Sequence, residues 1–401
     1  MTLTLTERKS LLLALAGPAH PAPDAPLIER LDDDDWLAID AMAAQHRLMP
    51  WLHHRNRGGT LPVAVPAAIA DRWKETYRDA AIGALTAQAA LVRLATAFGA
   101  AGVPMVALKG SRLAFFDYPE AALRPMRDID ILVAPERLAD AIDAMADAGC
   151  AVPADRDAAI ARALDGDKHL DAIELPDCQR FVELHHRIAE PGLPCIPTGD
   201  LLGNAHIDRL GGAAVAFPSS EHMLGHLVLH AVYNHRFDCG PLALVDIGML
   251  LANEAIEPRR FIDMAQTGGW LPGARLVLAL VDRFMGPTGL DIGQGSVPGA
   301  IIAESESLLL QDFDQRQQVL LASQSANAGL ASTVVSRLFR GLSRRPAEGR
   351  LHWLFSRANR TIRQASDPRA RSEAAAGASL ARWLGHDMGG KDRPTRPQDE
   401  G

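Results

Sequence analysis

The pattern of apolar and polar positions changes rhythm twice along the chain. Up to about residue 98, apolar residues recur at helical spacing between Pro-rich breaks such as Gly17-Pro18-Ala19-His20-Pro21-Ala22-Pro23. The longest helical pattern runs from about Pro66 to Phe98. There Trp73, Tyr77, Ile82, Leu85, Leu91 and Leu94 predict one buried stripe, and Gly99 and Gly102 suit the helix end. Residues 99–200 then alternate short strands and helices: an apolar strand at Val103–Leu108, a short helix at Ser111–Phe116, an alternating strand at Arg127–Val133, and a helix at Pro135–Ala148. Lys168–Leu175 and Gln179–Arg187 predict an antiparallel hairpin closed by Pro176-Asp177-Cys178. Strands separated by helices point to an α/β unit over 99–200, between an N-terminal helical region (1–98) and a C-terminal one (201–385). Residues 386–401 are polar and Pro-containing, which predicts a disordered tail.

Composition narrows the partners. The chain has 401 residues, 48% of them hydrophobic, enough to bury one large core or two modest ones. A net charge of −8 gives no global attraction to nucleic acid or an anionic membrane, so either partner would need a local patch. One such patch is the arginine-rich run of Arg337, Arg340, Arg344, Arg345, Arg350, Arg357, Arg360 and Arg363. It reads as a solvated helical face, with a grip on RNA or an acidic partner as the alternative. Cys150, Cys178, Cys195 and Cys239 lack zinc-binding spacing and read as reduced thiols. The run Leu11, Leu12, Leu13 and Leu15 follows Glu7, Arg8 and Lys9 and is too short to span a bilayer. With no other stretch of about 18 uncharged apolar residues, a cytoplasmic protein without a membrane partner is expected.

The chemistry concentrates in Leu108-Lys109-Gly110-Ser111-Arg112-Leu113 and in Arg124-Pro125-Met126-Arg127-Asp128-Ile129-Asp130-Ile131-Leu132-Val133. Residues two apart on a strand share a face, so Asp128 and Asp130 project together while Ile129, Ile131 and Val133 enter the apolar side. Two carboxylates this close repel each other, and a proton, an arginine or a cation must compensate. Magnesium suits them, because it combines one or two protein carboxylates with substrate phosphates. The bend at Gly110-Ser111 supplies a complementary half: glycine admits a phosphate to the backbone, and the following helix offers N–H groups and the positive end of its dipole. Lys109 and Arg124 are candidate phosphate partners or, equally, solvated surface charges.

These residues resemble the uncharacterised bacterial nucleotidyltransferase family within the DNA polymerase β-like superfamily. The resemblance rests on Leu-Lys-Gly-Ser, a spacer containing Tyr118, and Arg-Pro-Met-Arg-Asp-Ile-Asp-Ile-Leu-Val. It is strongest over residues 100–190 and extends weakly from about 5 to 270. It implies an α+β fold with a mixed-sheet nucleotidyltransferase core, a Gly-Ser phosphate loop (Lys109, Gly110, Ser111, with Arg124), and three metal-binding, catalytic carboxylates. Asp128 and Asp130 are two of these. Glu183 in Phe181-Val182-Glu183-Leu184-His185-His186 occupies the matching place for the third, with Asp171 and Glu174 as competitors. The long spacer implies a mobile loop around Asp117–Leu123 covering the nucleotide.

The implied reaction is Mg2+-dependent transfer of a nucleoside monophosphate from a nucleoside triphosphate such as ATP, with Mn2+ as the other candidate ion. The acceptor is a hydroxyl or phosphate on a small molecule, peptide or RNA. The competing readings are an inactive nucleotide- or partner-binding module and a toxin-like transferase acting on RNA or protein. His185 and His186 read as structural histidines. His222, His226 and His230 align on one helix face without a His-Glu-x-x-His pattern; packing is the simpler reading, with His230 or Asp246 making a helical contact near the nucleotide.

Overall fold

The computed structural model describes residues 2–293, 295–328, 362 and 366–386. The arginine-rich run from Arg337 to Arg363 and residues 387–401 of the expected tail lie outside these. The chain divides into two compact units, one of residues 1–235 with 241–296, the other of residues 236–240 with the chain from 297 onward.

The first unit opens with five helices: α1 (Leu5–Ala16), α2 (Ala25–Glu29), α3 (Asp33–Gln45), α4 (Met49–Arg57) and α5 (Ala67–Ala100). Capping boxes start α1 at Thr4/Glu7 and α3 at Asp32/Asp35, each satisfying two otherwise orphaned N–H groups. The buried Arg55 of α4 donates to Ala14 O and Leu15 O at the end of α1 and to Thr60 O (2.7 Å), so one side chain ties α4 to the α1 terminus.

Along α5, Trp73, Leu91 and Leu94 are buried as expected, but Ile82 and Leu85 are 63% and 66% exposed. The buried track is Ala84, Ala87, Leu91, Leu94 and Phe98, steps of three and four that leave Ile82 and Leu85 off the line. One window of α5 is long and apolar enough to cross a membrane, although Leu91, Leu94 and Phe98 within this helix belong to the core of the unit.

The sheet has six strands: β1 (Val106–Ala107), β2 (Asp128–Leu132), β3 (Ile173–Leu175), β4 (Arg180–His185), β5 (His206–Leu210) and β6 (Ala213–Phe217). Their order is β3-β4-β2-β1-β6-β5. β2 runs parallel to β4 and β1 parallel to β6, the remaining pairs being antiparallel. The fold is therefore α+β with a mixed sheet.

Two strands are shorter than expected, the first reduced to Val106–Ala107 and the third to Ile173–Leu175, with only a single bridge between His169 and His185 before it. The sheet runs past residue 200: β6 pairs with β1 and carries it to Phe217. Gly211 and Gly212, both at positive φ, form the two-residue turn of this β5–β6 hairpin.

The helices inserted in the sheet are α6 (Gly110–Arg112), α7 (Leu138–Asp147), α8 (Arg156–Gly166) and α9 (Thr198–Gly203). One sheet face is covered by α5 and α7: Ile129, Ile131, Val182, Leu184 and Val215 pack with Leu91, Leu94, Phe98, Ile142 and Met145. The residues between them, Asp128, Asp130, Glu183 and His185, take the opposite face by the two-residue pleat. Helices α10 (Ser220–Val228), α11 (Leu242–Asn253), α12 (Pro258–Thr267) and α13 (Leu271–Met285) complete the unit. In the second unit, α14 (Gly299–Leu309) and α15 (Phe313–Ala328) both pack on α16 (Pro368–His386).

Arg55→Met leaves the carbonyls of Ala14, Leu15 and Thr60 without their donor, and should lower stability by roughly 3 kcal/mol in chemical denaturation. An unchanged midpoint would show that these carbonyls find other partners.

Candidate active site

The site is assembled by register. In the parallel β2–β4 pair, Asp128 lies opposite Phe181, Asp130 opposite Glu183, and Leu132 opposite His185. Parallel strands sit about 4.8 Å apart. Asp130 and Glu183 thus become neighbours on one face, with Asp128 and His185 a pleat away. Ligand atoms of Asp130, Glu183 and His185 all lie within 4.8 Å of one another. Asp130 and His185 are buried, while Asp128 and Glu183 are partly open to solvent.

Asp130 is the hub. Lys109 Nζ donates to its Oδ1 at 2.9 Å, and His185 Nε2 lies 2.9 Å from the same oxygen. His185 Nε2 is also 3.3 Å from Glu183 Oε2, and His169 Nε2 is 3.6 Å from that oxygen. The other ring nitrogen of His185, Nδ1, faces Arg187 O at 3.3 Å; a carbonyl only accepts, so Nδ1 carries a hydrogen.

The charges follow from these contacts. Burial would raise Asp130, but Lys109 and His185 hold its carboxyl well below the usual range. Asp128 goes the other way: burial and the negative charges of Asp130 and Glu183 raise it. His185 loses charge to burial, yet its bonds to Asp130 and Glu183 raise its pKa overall. His185 also pulls Glu183 down.

Lys109 holds an unusual backbone, φ 43° and ψ −114°. A non-glycine residue there costs about 1–3 kcal/mol, and the surrounding bonds keep it in place. Leu108 N donates to Asp130 O (3.0 Å), which pins β1 to β2 just before this bend.

After the bend, α6 continues as a π-turn, Leu113–Asp117. The expected row of free N–H groups is not formed, since Ser111 N and Arg112 N donate to Leu108 O (3.2 Å) and Lys109 O (3.1 Å). Gly110 and Ser111 are buried, and a Cβ on Gly110 would stand 2.5 Å from Arg124 Nη1. Glycine is needed here for the close approach of arginine.

Arg124 is held in turn by Asp246 of α11. Its Nε and Nη2 donate to Asp246 Oδ1 (3.2 Å) and Oδ2 (3.0 Å), and Tyr118 Oη donates to Oδ1 at 2.8 Å. Asp246 thus reaches the bend through Arg124. The segment expected as a mobile loop is instead pinned by Tyr118 and by the buried Ala122 and Leu123. Arg112 anchors the same region from below, donating to Asp208 (3.0 Å), Asp117 (3.3 Å) and Glu254.

Two candidates do not stand out in the sequence. His185 and His186 both read as structural, but the two differ: His186 Nε2 bonds backbone carbonyls of Ala163 and Asp167, whereas His185 sits on the carboxylate face. The signal was available in Glu183-x-His185, the same two-residue spacing that exposed Asp128 and Asp130. The other is Arg47, between α3 and α4 at φ 59°, with no ion-pair partner among the described residues. Burial, then the charges of Arg124 and Arg127, push it down to about 10, and Asp128 and Asp246 act on it in the opposite sense. No local pattern marks an arginine at a helix corner.

The competitors for the third carboxylate fall elsewhere. Glu174 stands on β3, one strand beyond β4, and Asp171 is exposed before it. His226 is buried and His230 half-buried, both close enough to Lys109 and Asp130 to feel their charges; burial, then Lys109, keeps both rings neutral. Among the described residues they join no three-ligand cluster. A cavity of about 610 Å3 lined by Cys195, Asp200, His222, Arg260 and Asp263 contains none of the acidic-face residues, so chemistry rather than volume locates the site.

A strand-borne acidic face, countered by lysine and histidine and rimmed by arginine, is suited to a polyanionic substrate and a cation. A family described as uncharacterised nucleotidyltransferase matches residues 32–286, and the chain belongs to that family. No curated protein and no solved structure matches the chain.

A raised carboxyl lowers stability once pH climbs past its unfolded value near 3.9. Asp128→Asn should therefore raise the thermal midpoint of metal-free protein at pH 7, with the gain fading as pH falls toward 4. Added Mg2+ should stabilise wild type more than this variant; the reverse order would sink the assignment.

Proposed function

We propose that this chain transfers a nucleoside monophosphate from a nucleoside triphosphate, ATP among the candidates, to a hydroxyl or phosphate acceptor, releasing pyrophosphate. The observation that carries the reading is the parallel register of β2 and β4, which makes neighbours of Asp130 and Glu183 and keeps Asp128 on their face. A mixed sheet with an Asp-x-Asp strand beside the strand of the third acid accords with a polymerase β-like core.

The donor set fits a divalent cation. Asp128, Asp130 and Glu183 offer oxygens, and Asp128 is raised by burial and then by the negative charges of Asp130 and Glu183, which a bound cation would relieve. These three would hold magnesium. His185, whose Nδ1 hydrogen faces a carbonyl as in metal-bound imidazoles, could add a nitrogen that manganese accepts more readily. When bound, the ion would neutralise charge developing on the transferred phosphorus and the leaving pyrophosphate.

The chain's own groups do the rest. Lys109 balances Asp130, Arg47 adds a positive charge within electrostatic reach of Asp128 and Asp246, and Arg124 is held over Gly110. Contact of phosphate with the Gly110-Ser111 backbone requires Arg124 to shift. Glu183, partly exposed, would take the proton of an acceptor hydroxyl. This reading keeps the protein in the cytoplasm with its triphosphate.

The buried bend favours one alternative, a module that binds nucleotide without turning it over. Incubation with nucleoside triphosphates and Mg2+ separates the two. Pyrophosphate release should fall at least about 10³-fold in Asp128→Ala/Asp130→Ala. Release that survives this double substitution defeats the assignment, and tight triphosphate binding without release favours the alternative.

A further inference from the structure

The acidic face does not end at Glu183. Continuing along β4, the same pleat carries Phe181, which lies opposite Asp128 on β2 and opposite Glu174 on β3. Val182 between Phe181 and Glu183 is fully buried in the core, as are Ile173 and Leu175 on either side of Glu174. Phe181 and Glu174 therefore belong to the face of Asp128, in one row across three strands. The row spans about 10 Å, two strand spacings.

Two things about this row are unexplained by packing. Phe181 is 49% exposed although it sits on an internal strand of the sheet, where a large aromatic is ordinarily covered. Glu174 is exposed, and its carboxylate has no ion-pair partner among the described residues, although three acids already crowd the neighbouring strands. Neither residue has a place in the phosphate and cation chemistry of Lys109, Asp128, Asp130 and Glu183. A flat apolar side chain followed by a lone acceptor, leading away from the phosphate end, matches the other half of a nucleotide.

We propose that Phe181 and Glu174 form the nucleobase subsite: the base stacks on the Phe181 ring, and the Glu174 carboxylate accepts a hydrogen bond from an exocyclic amino group. Stacking on an aromatic ring serves any base. A carboxylate can only accept, so it favours bases carrying an exocyclic amino donor, as adenine, cytosine and guanine do, over uracil, whose one ring donor on that edge, N3–H, is flanked by two carbonyl oxygens that repel the carboxylate. The triphosphate donor would then be ATP, CTP or GTP rather than UTP. The inference rests on the nucleotidyl-transfer reading for its phosphate end and adds the base end.

Calorimetric binding with Mg2+ tests it, using inorganic tripolyphosphate beside the four ribonucleoside triphosphates. Tripolyphosphate reports the phosphate and cation site alone. Phe181→Ala should weaken ATP about tenfold and leave tripolyphosphate unchanged, while Phe181→Tyr restores ATP binding. Glu174→Gln should narrow the preference for ATP, CTP and GTP over UTP without altering tripolyphosphate. Both side chains are exposed, and unchanged thermal midpoints will show that the variants fold.

Tripolyphosphate binding with ATP affinity indifferent to Phe181→Ala would overturn the subsite and spare the phosphate site. Equal affinity of wild type for ATP and UTP would overturn the role of Glu174. Failure of tripolyphosphate itself to bind would instead count against the nucleotidyl-transfer reading.

Discussion

Carboxylates on adjacent strands repel each other, and β2 and β4 hold three of them on one face. The parallel register that pairs Asp130 with Glu183 leaves no room for the repulsion to relax by a slip, because a one-residue shift would turn Ile129, Ile131, Val182 and Leu184 out of the core. The hydrophobic face thus enforces what the polar face resists. Lys109 and His185 bond Asp130 directly and offset its charge, whereas Asp128 is raised by burial and then by Asp130 and Glu183.

Much of this arrangement is legible in the sequence, and the reason is periodicity. Asp128 and Asp130 alternate with Ile129 and Ile131, so their shared face and buried back follow from residue spacing alone. The β3–β4 hairpin is equally readable from Pro176-Asp177-Cys178 between two apolar runs. The β5–β6 hairpin is harder: its Gly211-Gly212 turn is a local mark, but Ala213-Ala214-Val215-Ala216-Phe217 has little strand character of its own, and its pairing with β1 is long-range.

The same distinction separates the site residues. Glu183 and His185 share a strand face, and the pair is visible once the strand is phased by Val182 and Leu184. Arg47 is different: it lies between α3 and α4, and only tertiary packing brings it within electrostatic reach of Arg124 and Asp128. The tie between Arg124 and Asp246 spans 122 residues, and Tyr118 joins the same carboxylate from another segment. Tertiary convergence of this kind is written in no single stretch of sequence. A strand-helix junction predicts a row of free N–H groups at Gly110-Ser111, but a tight turn at Lys109 consumes two of them internally.

Lys109 itself has a wider consequence. Its backbone occupies a conformation that glycine would adopt without strain, while its ammonium group is the direct counter-ion of Asp130. Selection for a robust fold and selection for a charged centre therefore pull this position toward different amino acids. A homologue with glycine there would have given up its counter-ion for a relaxed turn, and the identity of this one residue would separate descendants that kept the charged centre from those that retained only the scaffold.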